Sequence, residues 1–190
     1  MKKLFLVLVC MAVGFVAFGL ETESGLNLDY HVISHVYSSA AIFENIGVTM
    51  TNAINISECL DFDVDFSFRG LTSLKDEDSD PIYGDELSGS ELSCKLGFSY
   101  LIPSVKEKLQ PVVGLGCFWN LQTLRIDDEK TNIYRNGSYV KVGIKAKMKN
   151  DWFFNLYETI YLTGAVRPEI PSNLVMNYDI AVGFSKRLNK

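Results

Sequence analysis

The ten residues from Leu60 to Arg69 alternate between apolar and polar side chains without a break. Successive side chains of a β-strand point to opposite faces, so this segment has one apolar face and one ionic face. A helix would spread the same residues around its whole circumference. The stretch therefore predicts a strand that lies between two different surroundings. Its apolar side consists of Leu60, Phe62, Val64, Phe66 and Phe68, and its polar side of Asp61, Asp63, Asp65, Ser67 and Arg69.

The first nineteen residues predict an export signal. Lys2 and Lys3 provide a short positive start, and residues 4–18 are apolar and uncharged. Two small residues at the end of this run, Ala17 and Gly19, have the spacing of a signal-peptide cleavage site. We therefore predict a signal peptide over residues 1–19 and an exported mature chain over residues 20–190.

Composition limits the classes of protein that the mature chain can belong to. The sequence has 18 Lys+Arg against 23 Asp+Glu, a net charge of −5, and this acidity disfavours a nucleic-acid partner. The predicted mature chain has three cysteines, Cys59, Cys94 and Cys117. An odd number without CxxC spacing favours neither a disulfide framework nor a zinc module. After residue 19, each apolar run is shorter than the ~18 residues of a membrane-spanning helix. If the protein crosses a membrane, it does so with strands.

The alternation recurs in eight segments of about ten residues, which is the length of membrane-barrel strands. The connections alternate as well. The second, fourth and sixth are short, whereas the third, fifth and seventh, over residues 70–89, 123–136 and 164–172, are longer and polar. Long loops at one rim and tight turns at the other are typical of an outer-membrane barrel. We predict an all-β fold, a single eight-stranded antiparallel up-and-down transmembrane barrel.

With these features the chain resembles the small outer-membrane barrels of diderm bacteria, the OmpA/OmpX/OmpW-like group. The resemblance covers nearly all of the mature chain and rests on pattern, not on a shared peptide motif. It implies a location in the bacterial outer membrane, contact with membrane lipids and external ligands at loops 70–89 and 123–136; we also expect a monomer. One feature departs from the group, whose chains commonly end on an aromatic residue. Here Phe184 is followed by six further residues.

Two properties of the polar faces favour an apolar surface that faces lipid, with Trp119 on it. Glycines such as Gly97 and Gly116 suit the crowded interior of a narrow barrel. The charges on these faces are balanced, and charges in a closed lumen have to be paired or hydrated. We expect Lys95 beside Asp65, and an ionic network in the lumen. Its predicted members are Asp61, Asp63, Asp65, Lys95, Lys141, Lys145, Lys147, Glu158 and Asp179.

The seventh strand, residues 152–163, is compatible with two phases, which differ in which set of alternate residues faces lipid. In one phase Trp152 and Glu158 share the lipid face, and in the other Tyr157 and Tyr161 face lipid while Glu158 faces the lumen. A two-residue hairpin at Asn150-Asp151 gives the second phase, which keeps a carboxylate out of hydrocarbon. We therefore predict that Glu158 lies inside.

Three further groups contain residue types that can carry out chemistry or bind metal ions. His31 and His35 share the polar face of the first strand, but Ser34 lies on the opposite face, which disfavours a catalytic pair. The acidic loop at residues 75–86 lacks EF-hand spacing and is predicted to be a solvated surface loop.

Cys94 and Cys117 would face each other if Leu101 paired with Gln110, and two free thiols on the apolar face are favoured over a disulfide. We predict no enzyme activity, catalytic residues, metal or cofactor.

The resulting hypothesis is a structural or surface-interaction role, with the lumen closed by ionic pairs. Eight strands leave room for side chains but not for an open aqueous channel. One alternative is a narrow OmpW-like channel for small apolar molecules. The other is a soluble periplasmic lipocalin-like barrel that binds lipid, in which the apolar face would point inward.

Overall fold

The chain closes into one barrel of eight antiparallel strands, each paired with the next and the last with the first. A computed structural model describes residues 21–35, 42–75, 88–103, 108–126, 129–163 and 175–188. The strands are β1 Thr22–His35, β2 Ile42–Ser57, β3 Leu60–Lys75, β4 Ser88–Leu101, β5 Leu109–Ile126, β6 Glu129–Lys147, β7 Trp152–Thr163 and β8 Val175–Leu188. The predicted fold class is confirmed, whereas the predicted signal peptide lies outside the described residues.

Most strands are longer than the sequence pattern predicted, whereas β7 has the predicted bounds. β5 and β6 have 18 and 19 residues and pair as far as Ile126 and Glu129, so the predicted loop over residues 123–136 is wrong. This part of the hairpin is mostly polar on both faces, which hides the alternation. Its ladder nevertheless continues, and Thr123 Oγ1 donates to Asn132 Oδ1 at 3.0 Å. The predicted loop 70–89 is also too long, because β3 extends to Lys75 and β4 begins at Ser88.

The connection between β6 and β7 corrects the predicted phase of the seventh strand. It is a three-residue turn, Lys149–Asp151, in which Asn150 and Asp151 have φ of 59° and 58°. Met148 N donates to Trp152 O at 2.7 Å, and the ladder starts with Lys147 opposite Phe153. A shift of one residue sends every side chain of a strand to the other face. The two-residue hairpin that we predicted would have produced the opposite arrangement.

All eight strands present alternate residues to the inside and the outside of the barrel. The connections β2–β3, β4–β5 and β6–β7 lie at the same end as Thr22 and Leu188; we call this end the turn side, and the opposite end the loop side. Within the described ranges, no helix is long and apolar enough to span a membrane.

Candidate functional site

The barrel is charged inside and apolar outside. On β3, Phe68 is 64% exposed, and Trp119 on β5 is 50% exposed. Leu60, Phe62, Val64 and Phe66 are partly exposed on the same outer face. Among the described residues seven acids and five bases are buried: Glu23, Asp29, Asp61, Asp63, Asp65, Glu91 and Asp179, with Arg69, Lys95, Arg135, Lys141 and Lys145.

A cluster centred on Arg69 occupies the lumen; we call Asp29, His31, Arg69, Glu91 and Asp179 the Arg69 cluster. The guanidinium is fully buried and contacts all three carboxylates: Nε donates to Asp29 Oδ2 at 2.5 Å, Nη2 to Asp179 Oδ2 at 3.0 Å, and Nη1 to Glu91 Oε1. His31 Nδ1 lies 2.9 Å from both oxygens of Glu91. Because these residues come from β1, β3, β4 and β8, the cluster connects strands that are not all neighbours.

A glycine on β2 gives Arg69 the space to reach β1. Gly47 is paired with Arg69 on one side and with Asp29 on the other. A Cβ at position 47 would lie 2.5 Å from Arg69 Cα and 2.7 Å from Arg69 Cγ, which is too close for real atoms. The absence of a side chain at Gly47 therefore lets the Arg69 side chain cross β2 toward Asp29.

Two lysines of β6 bridge the turn-side half of the lumen. Lys141 Nζ donates to the carboxylate of Asp63, while Lys145 Nζ lies 3.0 Å from Glu23 Oε1 and 3.6 Å from Asp61 Oδ2. These ion pairs join β6 to β3 and β1 across the barrel. A cavity of about 20 Å³ is left among these side chains, enough for about one water molecule.

Lys95 and aromatic rings fill the space between the two groups of ion pairs. Lys95 is directly opposite Asp65 in the ladder, and its Nζ lies 3.9 Å from Asp65 Oδ2 and 3.4 Å from Asp179 Oδ2. The Tyr161 hydroxyl donates to Asp179 Oδ2, and the Tyr161 ring packs edge-on against Phe118 with centroids 4.8 Å apart. The lumen is therefore occupied by large side chains as well as by charges.

Two residues of the predicted ionic network are not in it. Glu158 was expected inside, but it is exposed on the outer face, paired in the ladder with Val142 and Ile180. The reason is the three-residue turn, which places five large apolar residues of β7 outside and its tyrosines inside. Lys147 was also expected in the lumen, but it is exposed at the turn-side rim, at the end of β6. The other seven predicted members are buried inside: Asp61, Asp63, Asp65, Lys95, Lys141, Lys145 and Asp179.

The structure also corrects the pairing that we considered for the cysteines. Leu101 pairs with Val112 rather than with Gln110, so Cys94 lies opposite Trp119 and Cys117 lies opposite Leu96. Both thiols are free and lie on the outer face. Most of the acidic loop at residues 75–86 lies outside the described residues, as do the side chains of Ser34 and His35.

Sequence reasoning missed several residues that hold the lumen together. Glu23 precedes the segment in which alternation was recognised, and Tyr157 and Tyr161 were assigned to the wrong face. Asp29 and Arg69 were recognised as polar-face residues, but their contact depends on Gly47 and on the register of three strands. Alternation predicts which face of the strand such a residue lies on. It does not predict which residue it contacts across the lumen, because that depends on how the strands are aligned.

Comparison with known proteins identifies the fold. No protein-family model and no curated protein matches the chain. Neisserial surface protein A has a TM-score of 0.65 at 12% identity, covering 88% of this chain and 97% of that protein. The outer membrane protein AlkL, determined in DMPC lipid bilayers, has a TM-score of 0.56 at 12% identity, covering 90% of this chain and 91% of AlkL.

A third similar structure is Ail, the attachment invasion locus protein of Yersinia pestis. Its TM-score is 0.54 at 8% identity, covering 89% of this chain and 99% of Ail. Ail has also been determined in complex with the heparin analogue sucrose octasulfate. Identities this low establish the fold alone. The chain has the fold of the small eight-stranded barrels of bacterial outer membranes, which confirms the predicted resemblance and agrees with the predicted location.

Proposed function

We propose that this protein is an integral outer-membrane barrel whose lumen is closed by ion pairs and which acts at the cell surface through its loop side. The observation that carries the proposal is the charged interior beneath an apolar exterior. Soluble monomers rarely expose apolar patches larger than a few hundred Å². Here large exposed hydrophobic residues occur on the outer faces of all eight strands, which lipid would cover.

The interior disfavours the soluble lipid-binding alternative. A lipocalin-like barrel needs an apolar lining to hold its ligand. In the described part of the chain, twelve buried acidic and basic residues project into the barrel instead. The same charges disfavour a path for small apolar molecules along the lumen, because each ion pair would have to separate to let such a molecule pass.

The loop side presents an extended surface for contacts outside the membrane. β6 pairs with β7 only as far as Gly137, so within the described part of the chain residues 129–136 pair with β5 alone. Tyr134 in this segment is 63% exposed. The β5–β6 hairpin therefore rises above its neighbour β7, and we propose it as the surface that external ligands contact. The Ail complex with a heparin analogue is one precedent for ligand binding within this fold.

Membrane integration is tested with purified outer membranes and heat-dependent gel mobility. Samples in SDS are loaded unheated and boiled, because closed membrane barrels often stay folded in cold SDS. We expect the protein in the membrane pellet after alkaline extraction, with a mobility shift on boiling. A protein that is released into solution and shows no shift would contradict the proposal and favour the soluble barrel.

Closure of the lumen is tested separately by ion conductance across planar bilayers. We expect the refolded barrel to conduct far less than a porin with an aqueous channel. A steady, porin-like conductance would contradict closure while leaving the membrane location unaffected.

A further inference from the structure

Arg135 is the one buried base of the described lumen without a carboxylate partner. Arg69, Lys95, Lys141 and Lys145 each contact at least one acid. Arg135 is only 7% exposed, yet the ion pairs among the described residues do not include it. A guanidinium removed from water without a counter-charge is unfavourable, because the lost hydration is not replaced. Arg135 therefore differs from the other buried charged residues of the described strands, each of which has an oppositely charged partner.

The contact that Arg135 does make leaves one unused donor on each of the two bonded side chains. Its Nη1 donates to Gln122 Oε1 at 2.6 Å, and Gln122 is fully buried. This bond occupies the carbonyl of the amide, so that the Nε2 group of Gln122 is left as a donor. Both Gln122 Nε2 and Arg135 Nη2 are buried, and neither has a hydrogen-bond partner among the residues that the structure describes. Two neighbouring N–H donors, one of them charged, match the oxygens of an oxyanion.

The buried acid on the neighbouring strand, Glu91, is already engaged elsewhere. Glu91 is opposite Gln122 in the β4–β5 ladder, but its two oxygens bind Arg69 and His31. Leu124, the next inward residue of β5 toward the loop side, is buried at 5% exposure. An apolar neighbour keeps water away and strengthens the attraction between a guanidinium and an anion. Because Arg135 faces the lumen and not the lipid, the anion would reach it from the loop side.

We propose that Arg135 and Gln122 bind a small soluble oxyanion, a carboxylate, phosphate or sulfate group, at the loop-side end of the lumen. One oxygen accepts from Arg135 Nη2 and another from Gln122 Nε2, while the bond between the two side chains holds both donors in place. This site is additional to the surface contacts and the ion-pair closure proposed above.

The first test measures the unfolding rate of the full barrel in a neutral detergent, followed as loss of the SDS-resistant band. Sulfate, phosphate and acetate are compared with chloride at equal ionic strength. A ligand that binds only the folded state slows unfolding about tenfold when its concentration is roughly ten times its dissociation constant. We expect this slowing in the wild-type barrel and its loss in Arg135→Gln. Arg125→Gln, which alters an exposed arginine at the loop-side end of β5, should retain it. Acetate distinguishes a site for carboxylates from one that requires a tetrahedral anion.

The second test uses the wild-type protein alone, so it does not depend on folding of a variant. With ¹⁵N-labelled arginine side chains, sulfate should shift the guanidinium resonances of Arg135 in a saturable way and leave those of Arg125 unchanged. Unshifted Arg135 resonances, or equal slowing of unfolding in wild type and Arg135→Gln, would overturn the proposed site.

Discussion

Two carboxylates of the barrel, Glu91 and Glu158, have opposite surroundings. Glu91 is buried and binds Arg69 and His31 inside the lumen. Glu158 lies on the outer face near the middle of β7, between Val142 and Ile180 of the adjacent strands. At the scale of single residues, partners decide the energetic cost of a charge: the first carboxylate is compensated, whereas the second faces the proposed lipid without a cation beside it in either ladder.

Replacement of Glu158 by Leu should stabilise the barrel. A Lys or Arg at the bilayer midplane costs about 2–4 kcal/mol and an acidic residue costs less, so we expect a gain of about 1–2 kcal/mol. The measurement is the free energy of unfolding in lipid vesicles by urea titration. Thr159→Leu, one residue further along β7 but facing the lumen, is the matched control and should give no gain. An unchanged or lower stability for Glu158→Leu would show that lipid does not cover this face.

Replacement of Arg69 by Met should be strongly destabilising. Removal of one partner from a buried ion pair leaves uncompensated charge and costs about 3–5 kcal/mol, and here the three carboxylates of Asp29, Glu91 and Asp179 would lose a common partner. The same urea titration measures this loss. Arg125→Met, at an exposed position, should change the free energy of unfolding by less than about 0.5 kcal/mol. Similar values for the two variants would mean that the Arg69 cluster contributes nothing to stability.

At the scale of elements, turn length and small residues control where side chains go. The turn between β6 and β7 has three residues instead of two, and this difference alone reverses the faces of β7. The resulting phase puts Trp152, Phe154, Leu156, Ile160 and Leu162 outside together with Glu158. Burial of one carboxylate was the argument for the opposite phase. It was outweighed because that phase would have placed five large apolar side chains in a charged lumen.

Gly47 on β2 provides a prediction at this scale. Gly47→Ala places a Cβ 2.1 Å from the Phe68 carbonyl oxygen and 2.5 Å from Arg69 Cα, so β2 and β3 have to move apart or the Arg69 side chain has to shift. We expect a loss of about 1–3 kcal/mol, which is typical of overpacking. Thermal unfolding in detergent micelles measures it.

The matched control for Gly47→Ala is Gly70→Ala, next to Arg69 on β3. A Cβ at Gly70 meets nothing within 4 Å, so this variant should unfold close to the wild-type temperature. If the two alanine variants are equally stable, close approach at Gly47 is not what positions Arg69.

At the scale of the whole molecule, closure of the barrel brings distant parts of the chain into contact. β1 and β8 pair from Thr22 opposite Leu188 to His35 opposite Val175, and this seam removes both sheet edges. It also brings Glu23, near the start of the described chain, to Lys145 on β6. The lumen is therefore a property of the closed barrel and not of any one hairpin.

The proposed closure of the lumen predicts the effect of emptying it. Simultaneous replacement of Arg69, Glu91 and Asp179 by Ala removes three fully buried side chains, namely two carboxylates and the guanidinium that binds both. The space that they leave should admit water along the barrel axis. We expect a several-fold increase in single-barrel ion conductance in planar bilayers over the wild type. A conductance equal to that of the wild type would show that another part of the barrel blocks the path.

The sequence alone determined the number of strands and which side chains share a face on most of them. Period-two alternation is a local property, readable wherever one face is apolar and the other polar, as from Leu60 to Arg69. It failed in the mostly polar end of the β5–β6 hairpin, beyond its pairing with β7, and on β7 itself, where both faces carry large apolar or aromatic side chains. Only the tertiary structure decided that Glu158 points outward, that Cys94 faces Trp119 and that Arg69 reaches Asp29 past Gly47. These outcomes depend on the register between strands and on closure of the barrel, because a shift of one residue moves every partner across the lumen.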